Sequence, residues 1–175
     1  FVGYVRCADL YNRGIGVEMN KEKSREYFEI AKEERFKNDQ LKIALLYSRA
    51  KGVVQDNENF VKWMEISAEN GSSMAQANLA FYYLKTEKNY EKAEELALKS
   101  AKANNQRGMW NLVQVYKAMN NVEKEIFYLE KLAECGFQKA YVDLGIKYKK
   151  QNKKEEAMKQ FKCAAKKNMP LGIFH

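Results

Sequence analysis

The chain contains a single histidine, His175, and only three cysteines, Cys7, Cys135 and Cys163. A lone terminal His leaves triads, His-dependent acid-base steps and His-ligated metals without a centre. Three cysteines, with no CxxC pair and no His near them, suit neither a zinc site nor a disulfide framework, and free thiols point to a reducing compartment. No apolar run approaches the ~20 residues of a membrane-spanning helix, and the opening FVGY carries no signal-peptide pattern. What is present is 46% hydrophobic and 31% charged residues, enough apolar content to bury a core and to exclude a disordered chain.

A phosphate-binding loop is also missing. Residues 11 to 24 read YNRGIGVEMNKEKS, with Gly14 and Gly16 one residue apart, but no β-rich run precedes them and no Gly-Lys-Ser/Thr follows. The stretch recurs instead, as YSRAKGVVQDNENF at residues 47 to 60. Within it Ser48 to Lys51 fits a Ser-x-x-Lys pattern, which has no companion motifs and falls where a turn is required. No cofactor site and no enzyme class emerges.

Internal periodicity organises the rest. Tyr11, Tyr47, Tyr83, Tyr116 and Tyr148 are spaced by 36, 36, 33 and 32 residues. Four before each stand Cys7, Ile43, Leu79, Leu112 and Leu144, and three before stand Ala8, Ala44, Ala80, Val113 and Gly145. Eight before stand Gly3, Asp39, Ala75, Gly108 and Ala140. Spacings of four and eight place these side chains on one helical stripe, its small residues admitting a second helix closely.

The second helix is announced by Asn20, Asp56, Asn89 and Asn121 as N-caps, with Asn152 one residue out of step in the fifth copy. Glu22, Glu58, Glu91, Glu123 and Glu155 follow in the first turn, where they oppose the positive end of the helix dipole. Gly71, Asn104, Gly136 and Asn168 suit left-handed turns at its end. Each unit is therefore helix, turn, helix, and the array has ten helices and no strand.

These units resemble the Sel1-like repeat, a relative of the tetratricopeptide repeat, whose pattern YxxGxGVxxDxxKA is met by Tyr11, Gly14, Gly16, Val17 and Lys23, with Asn20 for Asp and Ser24 for Ala. Tyr47, Gly52, Val53 and Asp56 match in the second copy, and the turns of copies three to five are three or four residues shorter. The resemblance implies an all-α, right-handed α/α superhelix of about five repeats, over residues 3–38, 39–74, 75–107, 108–139 and 140–171, with 172–175 opening a sixth. It further implies a non-catalytic scaffold or adaptor that holds a protein or peptide segment on the concave face lined by the first helices. By register, that groove would show Arg6, Asp9, Arg13, Lys42, Arg49, Asn78, Phe81, Lys85, Trp110, Asn111, Gln114 and Asp143. Simple solvation of these positions stands as the alternative. Val17 is expected to tuck back against its hairpin.

Charge is uneven. Residues 1–137 hold 21 Lys and Arg against 20 Asp and Glu, whereas residues 138–175 hold ten Lys against three acids. This pole, with Lys147, Lys149, Lys150, Lys153 and Lys154 as its basic patch, gives a second reading: a module for acidic protein, anionic lipid or RNA. With no base-reading motif in the sequence, nucleic acid is the weaker of those partners.

Overall fold

The computed structural model describes residues 2–33, 36, 40, 41, 44 and 57–167. The described residues form nine α-helices and no strand: α1 Val2–Arg13, α2 Lys21–Lys32, α3 Asn57–Glu69, α4 Ser73–Tyr82, α5 Tyr90–Lys102, α6 Gln106–Ala118, α7 Val122–Glu134, α8 Gln138–Lys150 and α9 Lys154–Lys167. In the first helix of the second repeat only Gln40, Leu41 and Ala44 are described; Lys42, Tyr47, Arg49 and the cap Asp56 lie outside the described residues, as does Asn168. The chain divides into two compact units, residues 1–79 and 80–175. In the first, α1 packs on α2; in the second, consecutive helices from α5 to α9 pack on one another.

The helices start where their caps dictate. Asn20 accepts backbone N–H bonds from Glu22 and Lys23 at 3.1 and 3.0 Å, Asn89 from Lys92 at 3.0 Å, and Asn121 from Lys124 at 3.1 Å. Each satisfies donors that the helix cannot, worth about 0.5–2 kcal/mol. Asn152 proves to play a different part: at φ 63° it closes α8 in the left-handed region, as Lys88 (52°) and Asn120 (55°) close the corresponding segments. The residue in step with the caps is Lys153. An Asn serves either position equally well, which is why the fifth copy looked displaced.

Second helices end as expected. Gly71, Asn104 and Gly136 have φ of 81°, 55° and 78°, and the Gly136 and Phe137 N–H groups reach the Ala133 and Leu132 carbonyls at 2.8 and 2.9 Å. This paired bonding consumes carbonyls that would otherwise be orphaned, at a backbone angle that costs Gly nothing. Helix α2 has no such residue. Its last carbonyls are met instead by side chains: Gln40 Nε2 donates to Ala31 and Glu33 (2.7 and 3.1 Å), and Asn70 Nδ2 to Lys32 (2.7 Å).

The tyrosine of each described unit joins its two helices through the backbone. The Tyr11, Tyr83, Tyr116 and Tyr148 carbonyls accept from Asn20, Asn89, Asn121 and Lys153 N–H at 2.9, 3.0, 2.9 and 2.9 Å. The bond persists although the intervening chain varies in length. The rings take a cation as well: Lys23, Lys92, Lys124 and Lys153 ammonium groups sit 5.4, 4.2, 5.0 and 5.7 Å from the respective centroids, each worth about 0.5–1 kcal/mol at an exposed site. The pattern Lys of the first copy is thus a partner of the pattern Tyr. Val17, by contrast, is 37% exposed and does not tuck in.

The third unit shows how an odd length is absorbed. From Tyr83 to its cap is six residues, against five in the fourth and fifth copies. The extra residue forms a π turn over Tyr83–Glu87, with the Lys88 N–H bonded back to the Tyr83 carbonyl. One-residue insertions in helices commonly take this form. Deleting exposed Thr86 is expected to restore ordinary helix and cost less than about 1 kcal/mol, while deleting Asn120 from the already minimal turn of the fourth copy costs several-fold more. Urea unfolding of the two deletions checks the order.

A further link ties one repeat to the next. Seven residues before each tyrosine stand Tyr4, Gln40, Gln76, Met109 and Tyr141. Gln40, Gln76 and Tyr141 donate to the carbonyls of Ala31, Ala68 and Ala133 in the preceding second helix, at 2.7, 3.0 and 2.6 Å. Below these bonds lie the cores. In the first unit Trp63 and Met64 are buried, with Phe28 5.3 Å from the indole. In the second, Met109, Val113, Leu129, Leu132, Ala140 and Leu144 pack together.

Candidate partner-binding surface

The proposed groove is built from first helices, which in residues 80–175 are the end of α4 with its π turn, α6 and α8. Two before each tyrosine stand Phe81, Gln114 and Ile146. Phe81 is 51% and Ile146 43% exposed, and Gln114 is half-buried. Large apolar side chains open to solvent at the same register of separate repeats are the feature of this surface least explained by the fold. Lys85 and Lys150, two after their tyrosines, are also exposed.

The column five before each tyrosine behaves differently. Asn111 is 1% exposed, so its amide does not face solvent as the sequence suggested. The physical reason is its helix: α6 packs between α5 and α7, and Gly108, Met109, Leu112, Val113 and Tyr116 are buried around it. Asp143 is half-buried, and burial raises its carboxyl above the ordinary value against the opposing pull of Lys139, Lys117 and Lys147. Trp110 is committed to packing as well. Its ring lies 5.4 Å from that of Phe137, with the Lys139 ammonium 4.5 Å from its centroid.

In residues 1–79, Arg6 is exposed on α1 and Asn78 is half-buried on α4. Asp9 and Arg13 belong to α1, but their side chains, like Lys42 and Arg49 altogether, lie outside what is described.

The basic patch divides. Lys147 is not part of an open surface: its ammonium contacts the Glu125 carboxylate at 2.5 Å, the two side chains 22% and 4% exposed. Lys153 stands over Tyr148, and Lys149, Lys150 and Lys154 are exposed. Next to them, Tyr148 donates to Glu130 at 2.5 Å, and burial together with that bond pushes its hydroxyl up to about 12. Tyr116 is raised in the same way, by burial and by its 2.6 Å bond to Glu94. Both tyrosines are therefore held as hydrogen-bond donors to the preceding repeat. Among the described residues no helix is long and apolar enough to cross a membrane.

Comparison with known proteins agrees with this architecture. The Sel1 repeat model matches residues 2–35, 39–72 and 73–105. The structure of c5321, a protective antigen present in uropathogenic Escherichia coli strains displaying an SLR fold, superposes with a TM-score of 0.68 at 29% identity, covering 96% of this chain and 38% of that one. This chain thus spans little more than a third of that protein's length. A Sel1 repeat protein from Oxalobacter formigenes superposes at 0.64 with 23% identity, covering 95% and 73%. No curated protein matches the sequence. The helical hairpins beyond residue 105 carry the same tyrosine-to-cap bond as those the model matches, and the fold is an all-α solenoid of helix-turn-helix repeats. The chain belongs to the Sel1 repeat family.

Proposed function

We propose that the chain is a non-catalytic interaction scaffold that holds a partner protein's segment against its first-helix face. The observation that carries this reading is the exposure of Phe81 and Ile146 at the same register, where the helices themselves gain nothing from a large apolar side chain. Family membership supports it. Gln114 between them in sequence supplies donor and acceptor for a peptide bond, and Lys85 and Lys150 favour a segment bearing carboxylates. Trp110 and Asn111 act from beneath, as packing that fixes α6.

The test is recovery of a partner by cross-linking in the native cell, followed by capture with Phe81→Ala, Gln114→Ala and Ile146→Ala variants. Loss of a buried aromatic anchor should weaken capture by roughly thirtyfold or more, with helicity unchanged. Undiminished capture by the triple variant sinks the reading.

A further inference from the structure

The column of donors that ties each repeat to the one before it has a gap at Met109. Gln76 and Tyr141 each donate to the carbonyl eight residues earlier, Ala68 and Ala133, at 3.0 and 2.6 Å. At the junction of the third and fourth repeats Met109 holds this register, and eight before it stands Ala101. The Ala101 carbonyl keeps the backbone partner of its counterparts: Asn104 N–H reaches it at 2.9 Å, as Gly71 and Gly136 N–H reach Ala68 and Ala133 at 3.1 and 2.8 Å. A carbonyl oxygen carries a second lone pair, and a thioether has no proton to donate to it. Among the described residues, the side-chain bond made at the neighbouring junctions is therefore not made at this one.

An open cleft of ≈ 320 Å³ lies at this place, and both Ala101 and Met109 line it. That volume is at the lower end for small-molecule sites. Leu98 of α5 and Tyr128 of α7 add apolar wall, the Tyr128 ring fixed by stacking on Tyr116 with centroids 5.8 Å apart. Exposed charges border the cleft: Lys102, Lys131 and Glu134. Lys131 also stands over the Phe127 ring, 4.7 Å from its centroid, a contact weak enough at an exposed site to be exchanged for an anion. Two ammonium groups against one carboxylate give the cleft a positive balance.

These features together specify a class of ligand. A ring suits the apolar wall, a hydroxyl on it supplies the proton that Met109 cannot, and an acid answers the lysines. Tyr141 sets the precedent, since a phenol is what reaches the Ala133 carbonyl at the next junction. We infer that the cleft between α5 and α7 binds a small phenolic acid, its hydroxyl donating to the Ala101 carbonyl, its ring against Leu98, Met109 and Tyr128, and its carboxylate toward Lys102 and Lys131. The occupant supplies the missing link and so braces the third repeat against the fourth. The site is separate from the first-helix face and does not depend on it.

The experiment is titration of the full chain, isotopically labelled at its methionine methyl groups, with 4-hydroxyphenylacetate, followed by NMR. The Met109 resonance, identified by its loss in Met109→Gln, should shift with a Kd of roughly 0.1–1 mM, while those of Met74 and Met158 stay in place. Phenylacetate, which lacks the donor, should bind about fivefold more weakly. Tyramine, with an ammonium in place of the acid, should bind several-fold more weakly at low salt. Equilibrium dialysis measures the variants, and circular dichroism confirms that they fold. Met109→Gln places in this register the amide that Gln76 carries, so it should form the link itself and abolish binding. Lys102→Glu with Lys131→Glu, both on the surface, should weaken binding by roughly tenfold. The proposal is overturned if 4-hydroxyphenylacetate does not bind at millimolar concentration, if phenylacetate or tyramine binds equally, or if folded Met109→Gln or the lysine double variant keeps the affinity. Preferential binding of a tyrosine-containing peptide would overturn it as well, making the occupant a partner's side chain.

Discussion

Replacing Lys147 with Met should destabilise the chain by about 3–5 kcal/mol. Lys147 stands on α8 and reaches Glu125 on α7, whose side chain is 4% exposed. Met matches the length and packing of the lysine stem but removes the charge that the Glu125 carboxylate faces. A buried carboxylate without its partner keeps the cost of leaving water and loses the compensation. The position of Glu125 in the first turn of α7 offsets part of this through the helix dipole, which favours the lower end of the range. The reverse change is milder. Glu125→Gln leaves an ammonium that is 22% exposed and can still be solvated, so about 1–2 kcal/mol is expected. The double variant Glu125→Gln, Lys147→Met should recover most of the loss, because no charge then remains buried. Urea unfolding of the four proteins measures the coupling; equal losses for the two single variants would contradict this account.

That pair also shows what the sequence conceals. Charges four apart on one helix are read directly from spacing, but Glu125 and Lys147 are 22 residues apart and meet only because α7 and α8 pack. Lys147 therefore looked like part of an open basic pole. Asn111 misled for a related reason. Periodicity tells which stripe of its own helix a residue occupies, not how many other helices touch that stripe. Helix α6, packed on α5 and α7, buries Asn111, whereas Phe81 and Ile146 at a neighbouring register remain exposed.

The hairpins themselves were legible because their signals are local. A tyrosine and the apolar or small residues four, three and eight before it define a stripe on one helix, and an Asn cap acts within three residues of itself. Asn152 is the informative failure, since the residue type permits two roles one position apart and only the backbone angle separates them. The column of Tyr4, Gln40, Gln76 and Tyr141 was readable in principle, as side chains capable of donating recur at fixed register. Its meaning required the carbonyls of the preceding helix, a relation between repeats rather than within one.

Small residues on the first-helix stripe pose the same question of neighbours, and three Gly→Ala variants answer it with different signs. In a helix interior Ala is favoured over Gly by about 1 kcal/mol. At Gly3 an added Cβ meets no atom within 4 Å, so Gly3→Ala should be neutral or stabilising by up to about that amount. At Gly145 the Cβ would lie 2.4 Å from a Phe161 ring carbon, but a half-buried ring can turn, and the effect should be a modest loss. At Gly108 the obstacles are Ser100 Oγ at 2.5 Å, Ser100 Cβ at 2.6 Å and the Ala101 backbone nitrogen at 3.0 Å. Turning the hydroxyl relieves only the first. The other two are fixed to α5, so Gly108→Ala must push α5 and α6 apart, and about 1–3 kcal/mol of net destabilisation is expected after the propensity gain. Gly108→Val, which adds branching at the clashing carbon, should exceed it. Thermal and urea midpoints should therefore fall in the order Gly3→Ala, Gly145→Ala, Gly108→Ala, Gly108→Val. If Gly108→Ala were as stable as Gly3→Ala, the close approach of α5 and α6 would not be what demands glycine at that position.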